Sequence, residues 1–229
     1  LAVYDTGRQG GLLSERRLGN DVGGLEYSEV NGMVYALVWS DRSAGASDYE
    51  HRIVALDAAS GMTQWTLPVG QASRISVNRV TGDLAVLEGS AITVYSGQDH
   101  SVLRQGELLN PAEDIVWSPD GTRIAAIEGG GRIDVVDAET FDQAVPTILA
   151  GNGLDLTDIA WGSDSQSLAA STVPGNAVGI SPDDYTYIVR TDETNWADRM
   201  CAIAGSGLSE EEWRTYVKGV LPYEDLCPA

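Results

Sequence analysis

The sequence has few of the residues from which catalytic and metal-binding sites are usually built. Among 229 residues there are two cysteines, two histidines and one phenylalanine. His51 and His100 fall in polar segments, and neither lies at metal-ligand spacing from the other or from a cysteine. No P-loop or nucleophile-elbow motif is present, and residues 129–131, a run of three glycines, predict a hairpin turn. We therefore expect no metal, no cofactor and no catalytic residue in this chain.

Positive charge and long apolar runs are also scarce. Fourteen Lys plus Arg residues face 34 Asp plus Glu residues, which gives a formal net charge of −20. This sign is wrong for binding a nucleic-acid backbone or an anionic membrane surface. The longest apolar run, residues 34–39, is far shorter than the roughly 18 residues that a membrane-spanning helix needs. We expect an acidic, soluble protein with neither nucleic acid nor membrane as a partner.

The two cysteines, Cys201 and Cys227, both lie near the C-terminus and leave two alternatives open. In an oxidising compartment they would form a disulfide, which the chain-entropy model values at about 3 kcal/mol for a loop of this size. In a reducing cytosol they would be small buried apolar side chains. We expect a cytoplasmic protein, or an extracytoplasmic domain of a membrane-anchored parent if the disulfide forms. The first residue, Leu1, and the strand-like start suggest a fragment or a processed chain.

An internal repeat organises residues 1–193. Residues 115–127 match residues 159–171, match residues 75–87 with one inserted residue, and match residues 25–37 more weakly. Each copy has an alternating apolar strand, a polar turn and a second apolar strand, as in a hairpin. Further strands are predicted after three of the copies and before the first, at residues 53–57, 92–95, 133–137 and 2–5.

A repeat of about 40 residues built from short strands predicts the blades of a β-propeller. A single sheet of this size cannot bury both faces, whereas radially stacked sheets bury one another. We predict an all-β propeller of four-stranded blades, with four to five blades in residues 1–193. Trp39, Trp117 and Trp161 stand at or near the ends of apolar strands, so we expect them to pack between blades.

The sequence Trp-Ser-Pro-Asp-Gly at residues 117–121 resembles the WD40-type propeller family in its degenerate bacterial form. The tandem Gly-His and Trp-Asp signatures of that family are absent. Residues 55–65 are similar to a repeat of quinoproteins and of outer-membrane assembly lipoproteins, and residues 136–141 are similar to lactonase-like propellers. These resemblances imply a propeller without selecting one family.

Residues 194–229 predict a short helical appendage. Trp196, Met200 and Ile203 form one apolar stripe, and Ser209 begins a second predicted helix with a capping box that includes Glu212. This segment resembles the closing part of many actinobacterial WD40-repeat proteins, which are often C-terminal halves of STAND-type NTPases or of protease and kinase fusions. The resemblance implies a sensor or scaffold half whose effector domain lies elsewhere.

Two connections, residues 40–52 and 172–185, are much longer than the equivalent turns of the other repeats. Equivalent loops of a propeller emerge on one face, and binding residues concentrate on such loops. We predict a surface for a protein or peptide partner there, around Arg42, Tyr49, His51, Asp183 and Tyr185, with further blades of the same parent protein as another possible partner.

The predicted function is a non-catalytic interaction or sensor module, part of a larger bacterial signalling or scaffold protein. Two alternatives remain at this stage. One is a propeller enzyme of quinoprotein or lactonase type, with a cofactor or metal at the central channel. The other is an outer-membrane assembly scaffold, which would require export and a lipidated N-terminal cysteine.

Overall fold

The structure, a computed structural model, describes Leu18, Glu211 and residues 21–39, 51–150, 155–172 and 186–191, together with the backbone of residues 2–4 and 12–15. Within these residues the chain is built from antiparallel strands, and Glu211 has helical conformation. No helix in this part of the chain is long and apolar enough to cross a membrane. The predicted C-terminal appendage, with Cys201 and Cys227, otherwise lies outside the described residues.

Seventeen strands, numbered in chain order, form the described part of the fold. They are β1 (Ala2–Tyr4), β2 (Leu12–Glu15), β3 (Asp21–Ser28), β4 (Met33–Trp39), β5 (His51–Asp57), β6 (Thr63–Val69), β7 (Arg74–Val77), β8 (Leu84–Glu88), β9 (Ala91–Tyr95), β10 (Val102–Glu107), β11 (Ala112–Trp117), β12 (Arg123–Glu128), β13 (Arg132–Asp137), β14 (Gln143–Leu149), β15 (Leu156–Trp161), β16 (Ser167–Thr172) and β17 (Thr186–Arg190).

The strands form the blades of a β-propeller. Sheets β3-β4-β5-β6, β7-β8-β9-β10 and β11-β12-β13-β14 are three complete four-stranded blades, which we call blades 1, 2 and 3. Blade 4 is described as the three-stranded sheet β15-β16-β17, and β1 pairs with β2. The first strand of each blade contacts the first strand of the next, so β3, β7, β11 and β15 lie at the axis of the propeller. The predicted fold class is confirmed.

The four repeat copies are the inner hairpins of the four blades, β3-β4, β7-β8, β11-β12 and β15-β16. The strands predicted after them are β5, β9 and β13, and the strand predicted at residues 2–5 is β1. The outermost strands β6, β10 and β14 were not located from the sequence. Their residues are mostly exposed or half-buried. An outer strand lies at the periphery of its blade, where the neighbouring blades cover little of it, so it needs little apolar character.

Of the four apolar clusters in the described core, three lie between consecutive blades, and the fourth packs blade 1 against Leu18. Blades 1 and 2 share the cluster around Tyr35 and Leu84, blades 2 and 3 share the cluster around Leu87 and Ile124, and blades 3 and 4 share the cluster around Leu168. The predicted packing role of the tryptophans is confirmed, because Trp117 belongs to the second of these clusters and Trp39 and Trp161 pack against the first and the third.

Hydrogen-bonded turns connect the strands at both ends of the blades. We call the end with the β3-β4, β7-β8, β11-β12 and β15-β16 turns the turn end, and the end at which β4-β5, β8-β9, β12-β13 and β16-β17 connect the loop end. The predicted glycine turn is confirmed at the loop end, where Gly130 and Gly131 have φ of 76° and 74°. Left-handed backbone of this kind favours glycine, which has no Cβ.

Candidate functional site

Polar side chains occur at one repeat position on the inner strands. Arg74 of β7, Asp114 of β11 and Asp158 of β15 each precede the buried isoleucine of their strand. Asp114 and Asp158 make the same local bond, in which the following isoleucine donates its backbone N–H to the carboxylate, at 2.9 Å and 3.0 Å. Three of the inner strands, β7, β11 and β15, therefore place charged side chains at the propeller axis.

Asp114 lies between Arg74 and Asp158, the residues at the equivalent position of the two neighbouring inner strands. The Nε atom of Arg74 lies 3.5 Å from Oδ1 of Asp114. Burial raises the pKa of Asp114, the Arg74 guanidinium opposes that rise, and the charge of Asp158 adds to it. Arg74 and Asp114 thus compensate each other's charge, and Asp158, which is exposed, adds a negative charge beside them.

A cavity of about 270 Å³ lies at the turn end, between the inner hairpin of blade 1 and the β7-β8 turn of blade 2. The described residues that line it are Glu26 and Tyr27 of β3, Glu29 of the β3-β4 turn and Arg79 of the β7-β8 turn. We call it the axial cavity. Its volume lies just below the range typical of sites for drug-sized ligands, which suits a single side chain or a similarly small group.

Glu26 is the most perturbed group of the axial cavity. Burial raises the pKa of Glu26 from 4.5 to about 7, because a charged carboxylate loses hydration there. The Arg79 guanidinium acts in the opposite direction, and the charge of Asp114 adds to the rise. Within the described part of the chain no donor hydrogen-bonds the Glu26 carboxyl group, and the Arg79 guanidinium has no carboxylate within 4.0 Å.

Two fully buried carboxyl groups of blade 3, those of Glu128 and Asp134, accept hydrogen bonds from other side chains of the protein. Asn110 donates to Glu128 at 2.8 Å, Arg132 donates to it at 3.3 Å, and Thr147 donates to Asp134 at 2.6 Å. Burial and the neighbouring Asp134 raise the pKa of Glu128. Because these groups already have partners, we assign the pair to the interior of the blade and not to a binding site.

The two long connections predicted to carry a partner surface attach at the loop end. One leaves β4 at Trp39 and returns at His51, and the other leaves β16 at Thr172 and returns at Thr186. In blades 2 and 3 the equivalent turns span only residues 89–90 and 129–131. Of the predicted partner-binding residues, Arg42, Tyr49, Asp183 and Tyr185 lie outside the described residues.

His51 is the one predicted partner-binding residue that the structure describes. It is the first residue of β5, where the sequence had placed it in the connecting loop. Its Nδ1 atom lies 2.8 Å from the carbonyl oxygen of Ala72, and its ring lies 5.7 Å from the Trp39 ring between centroids. His51 therefore supports the base of the long connection by packing and hydrogen bonding.

Sequence reasoning did not find the axial cavity. Asp114 and Asp158 gave a usable signal, because an aspartate precedes the same isoleucine in two repeat copies. Glu26 and Arg79 gave none, since they belong to different blades and meet only when the blades stack. Among the residues that the structure describes, no three His, Cys, Asp or Glu side chains are grouped in a way that could hold a metal ion.

The chain is a β-propeller by its fold, and its described polar site lies at the axis. No protein-family model matches the sequence, and no curated protein matches it. Among solved structures, hydrazine synthase from Kuenenia stuttgartiensis is similar to the chain, with a TM-score of 0.57 and 16% sequence identity. The match covers 82% of this chain and 49% of that one, so this chain spans about half the length of its structural neighbour. A likeness at this identity shows the fold alone.

Proposed function

We propose that the chain is a non-catalytic propeller module of WD40 type that binds a protein or peptide partner at its loop end, within a larger bacterial signalling or scaffold protein. The observation that carries the proposal is the attachment of both long connections, residues 40–50 and 173–185, at the same end of the blades. Neither connection is needed for strand pairing, because blades 2 and 3 make the same link with two or three residues.

The fold favours such a role. Blades that bury one another through continuous apolar clusters hold the strand ends in fixed positions. Loops on a rigid scaffold are well suited to recognition, since the partner does not have to order the scaffold on binding. The net charge of −20 favours basic partners and disfavours anionic ones.

A peptide-display library selected on the purified chain tests the proposal. We expect the enriched peptides to bind the intact chain and to lose at least about tenfold in affinity when residues 43–48 are deleted, which corresponds to roughly 1.4 kcal/mol. Deletion of residues 176–181 should weaken the same peptides. The melting temperature of each variant shows whether the propeller remains folded.

Gln98→Ala is the matched control, because Gln98 is exposed in the β9-β10 turn at the opposite end of the blades. It should leave binding unchanged. Peptides that keep their full affinity for both deletion variants would show that the loop end is not the partner surface.

A further inference from the structure

The axial cavity lies at the turn end, away from the proposed partner surface. Glu29 belongs to the β3-β4 turn and Arg79 to the β7-β8 turn, whereas the long connections begin at the other end of β4 and β16. Strand β4 has seven residues, so about 20 Å of strand separates the two ends. A ligand in the axial cavity would therefore be bound independently of the proposed loop-end partner.

Among the described residues, Glu26 and Arg79 of the axial cavity have no hydrogen-bond partner and no ion pair within 4.0 Å, although the Arg79 charge acts on Glu26 from a greater distance. Glu26 is half-buried, yet no described donor hydrogen-bonds its carboxyl group. A polar group in this position is destabilising until it is hydrogen-bonded or paired. The structure meets this requirement for the other buried carboxyl groups, Glu128 and Asp134, through side chains of the same blade. Glu26 differs because what it faces is a cavity.

The charges of the axial cavity select a cation. Of the described lining residues, Glu26 and Glu29 supply two carboxyl groups and Arg79 supplies one guanidinium, while the nearby Arg74 and Asp114 compensate each other. Tyr27, half-exposed beside them, supplies an aromatic ring, whose face attracts cations. Among the described lining residues an anion would have Arg79 as its cationic partner and would meet both carboxylates.

The shape and the ligand set favour an organic cation over a metal ion. The described carboxyl groups do not form a cluster of metal-binding geometry. A volume of about 270 Å³ is far larger than a bare ion requires, and it suits a planar guanidinium or an alkylammonium group with its first methylenes. An aromatic ring beside carboxylates is a common environment for such groups.

We propose that the axial cavity binds an organic cation, the guanidinium or ammonium group of a basic ligand, with Glu26 and Glu29 as acceptors and the Tyr27 ring against the cation. The bound group would be either a basic side chain of a peptide or a free amine. Both sources present the same chemistry to the cavity, and the experiment below distinguishes them.

Binding of the cation is coupled to deprotonation of Glu26. Near pH 7 the Glu26 carboxyl group is about half protonated, and the cation binds its carboxylate form, so the displaced proton passes to the solvent. Among the described residues, the charged and titratable groups near Glu26 are Arg79 and Asp114, together with Glu29 and Tyr27 of the cavity lining. Affinity should therefore rise by roughly tenfold between about pH 6 and pH 8.

NMR titration of the full chain with three probes tests the proposal. The probes are the tripeptide acetyl-Gly-Arg-Gly-amide, agmatine, and acetyl-Gly-Glu-Gly-amide as the anionic control. We expect both cations to shift the backbone amides of Glu26 and Arg79, and the anion to shift neither. Tighter binding of the tripeptide would identify a peptide side chain as the source, and tighter binding of agmatine would identify a free amine.

Substitutions separate binding from folding. Glu26→Gln should weaken cation binding at least about tenfold at pH 8 and abolish its pH dependence. Arg79→Ala should strengthen cation binding severalfold at about pH 9, where Glu26 is ionised in either protein, because a competing cation is removed. Glu107→Gln, which neutralises an exposed carboxylate on the outer strand β10, is the charge-matched control and should change nothing.

Failure to bind either cation at millimolar concentration would overturn the proposal. A pH-independent affinity, or equal affinities for wild type and Glu26→Gln, would overturn it as well. None of these results depends on residues 43–48, so the axial cavity and the loop-end surface can fail separately.

Discussion

The raised pKa of Glu26 predicts that this residue lowers the stability of the propeller at neutral pH. Its carboxyl group is withdrawn from water, and no described group of the protein hydrogen-bonds it in return. Glutamine at this position would fill similar space without an ionisable group. A residue that opposes folding in this way is expected at sites that serve binding, where local stability is exchanged for affinity.

The pH dependence of stability tests this assignment directly. An acid whose pKa rises from 4.5 to about 7 on folding binds its proton more tightly in the folded state. The contribution of Glu26 to stability is therefore complete below about pH 4.5 and is lost as the pH rises through 7. We expect Glu26→Gln to exceed wild type by roughly 1–3 kcal/mol at pH 8, after allowance for partial exposure, and to match it near pH 4.

Urea unfolding followed by tryptophan fluorescence across this pH range measures the difference. Glu107→Gln serves again as the control, since Glu107 is exposed on an outer strand. A Glu26→Gln variant that is no more stable than wild type at pH 8 would show that the carboxyl group is not desolvated in solution.

At the scale of elements, the turns join one blade to the next. Asn78 accepts hydrogen bonds from the backbone N–H groups of Val80 and Thr81 within its own turn, at 2.8 Å and 3.2 Å. It also donates to the carbonyl oxygen of Gly121 in the neighbouring blade, at 3.2 Å. In the next pair of blades the backbone N–H of Asp120 donates to the Ser165 hydroxyl at 3.0 Å. Hydrogen bonds between turns thus join blade 2 to blade 3 and blade 3 to blade 4 at the turn end.

Asn78→Ala should destabilise the protein by roughly 2–3 kcal/mol. Asn78 is 2% exposed, and its removal takes away the side-chain partner of backbone groups in two blades, those of Val80 and Thr81 and that of Gly121. Thr81→Ala is the control, because Thr81 lies in the same turn but is exposed. Chemical denaturation of the two variants gives the comparison, and similar midpoints for both would show that the contact between the blades contributes little.

The inner hairpins could be predicted from the sequence because their strands are buried and repeat with the blade. Residues 124–127 and 84–87 show the result, since every side chain in both runs is buried. The outer strands could not be predicted in this way, because exposed positions do not need the apolar residues that mark a buried strand. The axial cavity could not be predicted from the sequence either, since neither Glu26 nor Arg79 has a counterpart in the other repeats.

At the scale of the whole molecule, protection from solvent falls from the middle strands of a blade to its outer edge. Strands β8 and β12 are almost fully buried, whereas β6 and β10 alternate between exposed and half-buried residues. We expect hydrogen exchange followed by mass spectrometry to show the slowest exchange in β8 and β12 and exchange about ten- to a hundredfold faster in β6 and β10.

The same experiment tests the stacking of the blades. Because one apolar cluster joins blades 2 and 3, their middle strands should exchange through a single cooperative opening. Separate openings of the two blades would contradict this expectation, and uniform exchange across each blade would contradict the gradient from middle to edge.

Two contacts between blades show why the repeats have diverged. The His100 ring, on a residue with φ of 63°, packs against the Trp65 ring of the preceding blade, with centroids 3.9 Å apart and the two planes tilted by 42°. One blade later Phe141, with φ of 61°, stands over Gly106, and a Cβ on that glycine would lie 2.2 Å from the Phe141 ring. At the junction of blades 1 and 2 the incoming ring packs against the Trp65 indole, whereas at the junction of blades 2 and 3 it occupies the space that a side chain at Gly106 would need. A duplicated blade inserted into this chain would therefore pack against a blade whose outer edge does not fit its own. The contacts at the outer edges thus specify the order of the blades. A new blade could be gained only together with matching changes in the blades on either side of it.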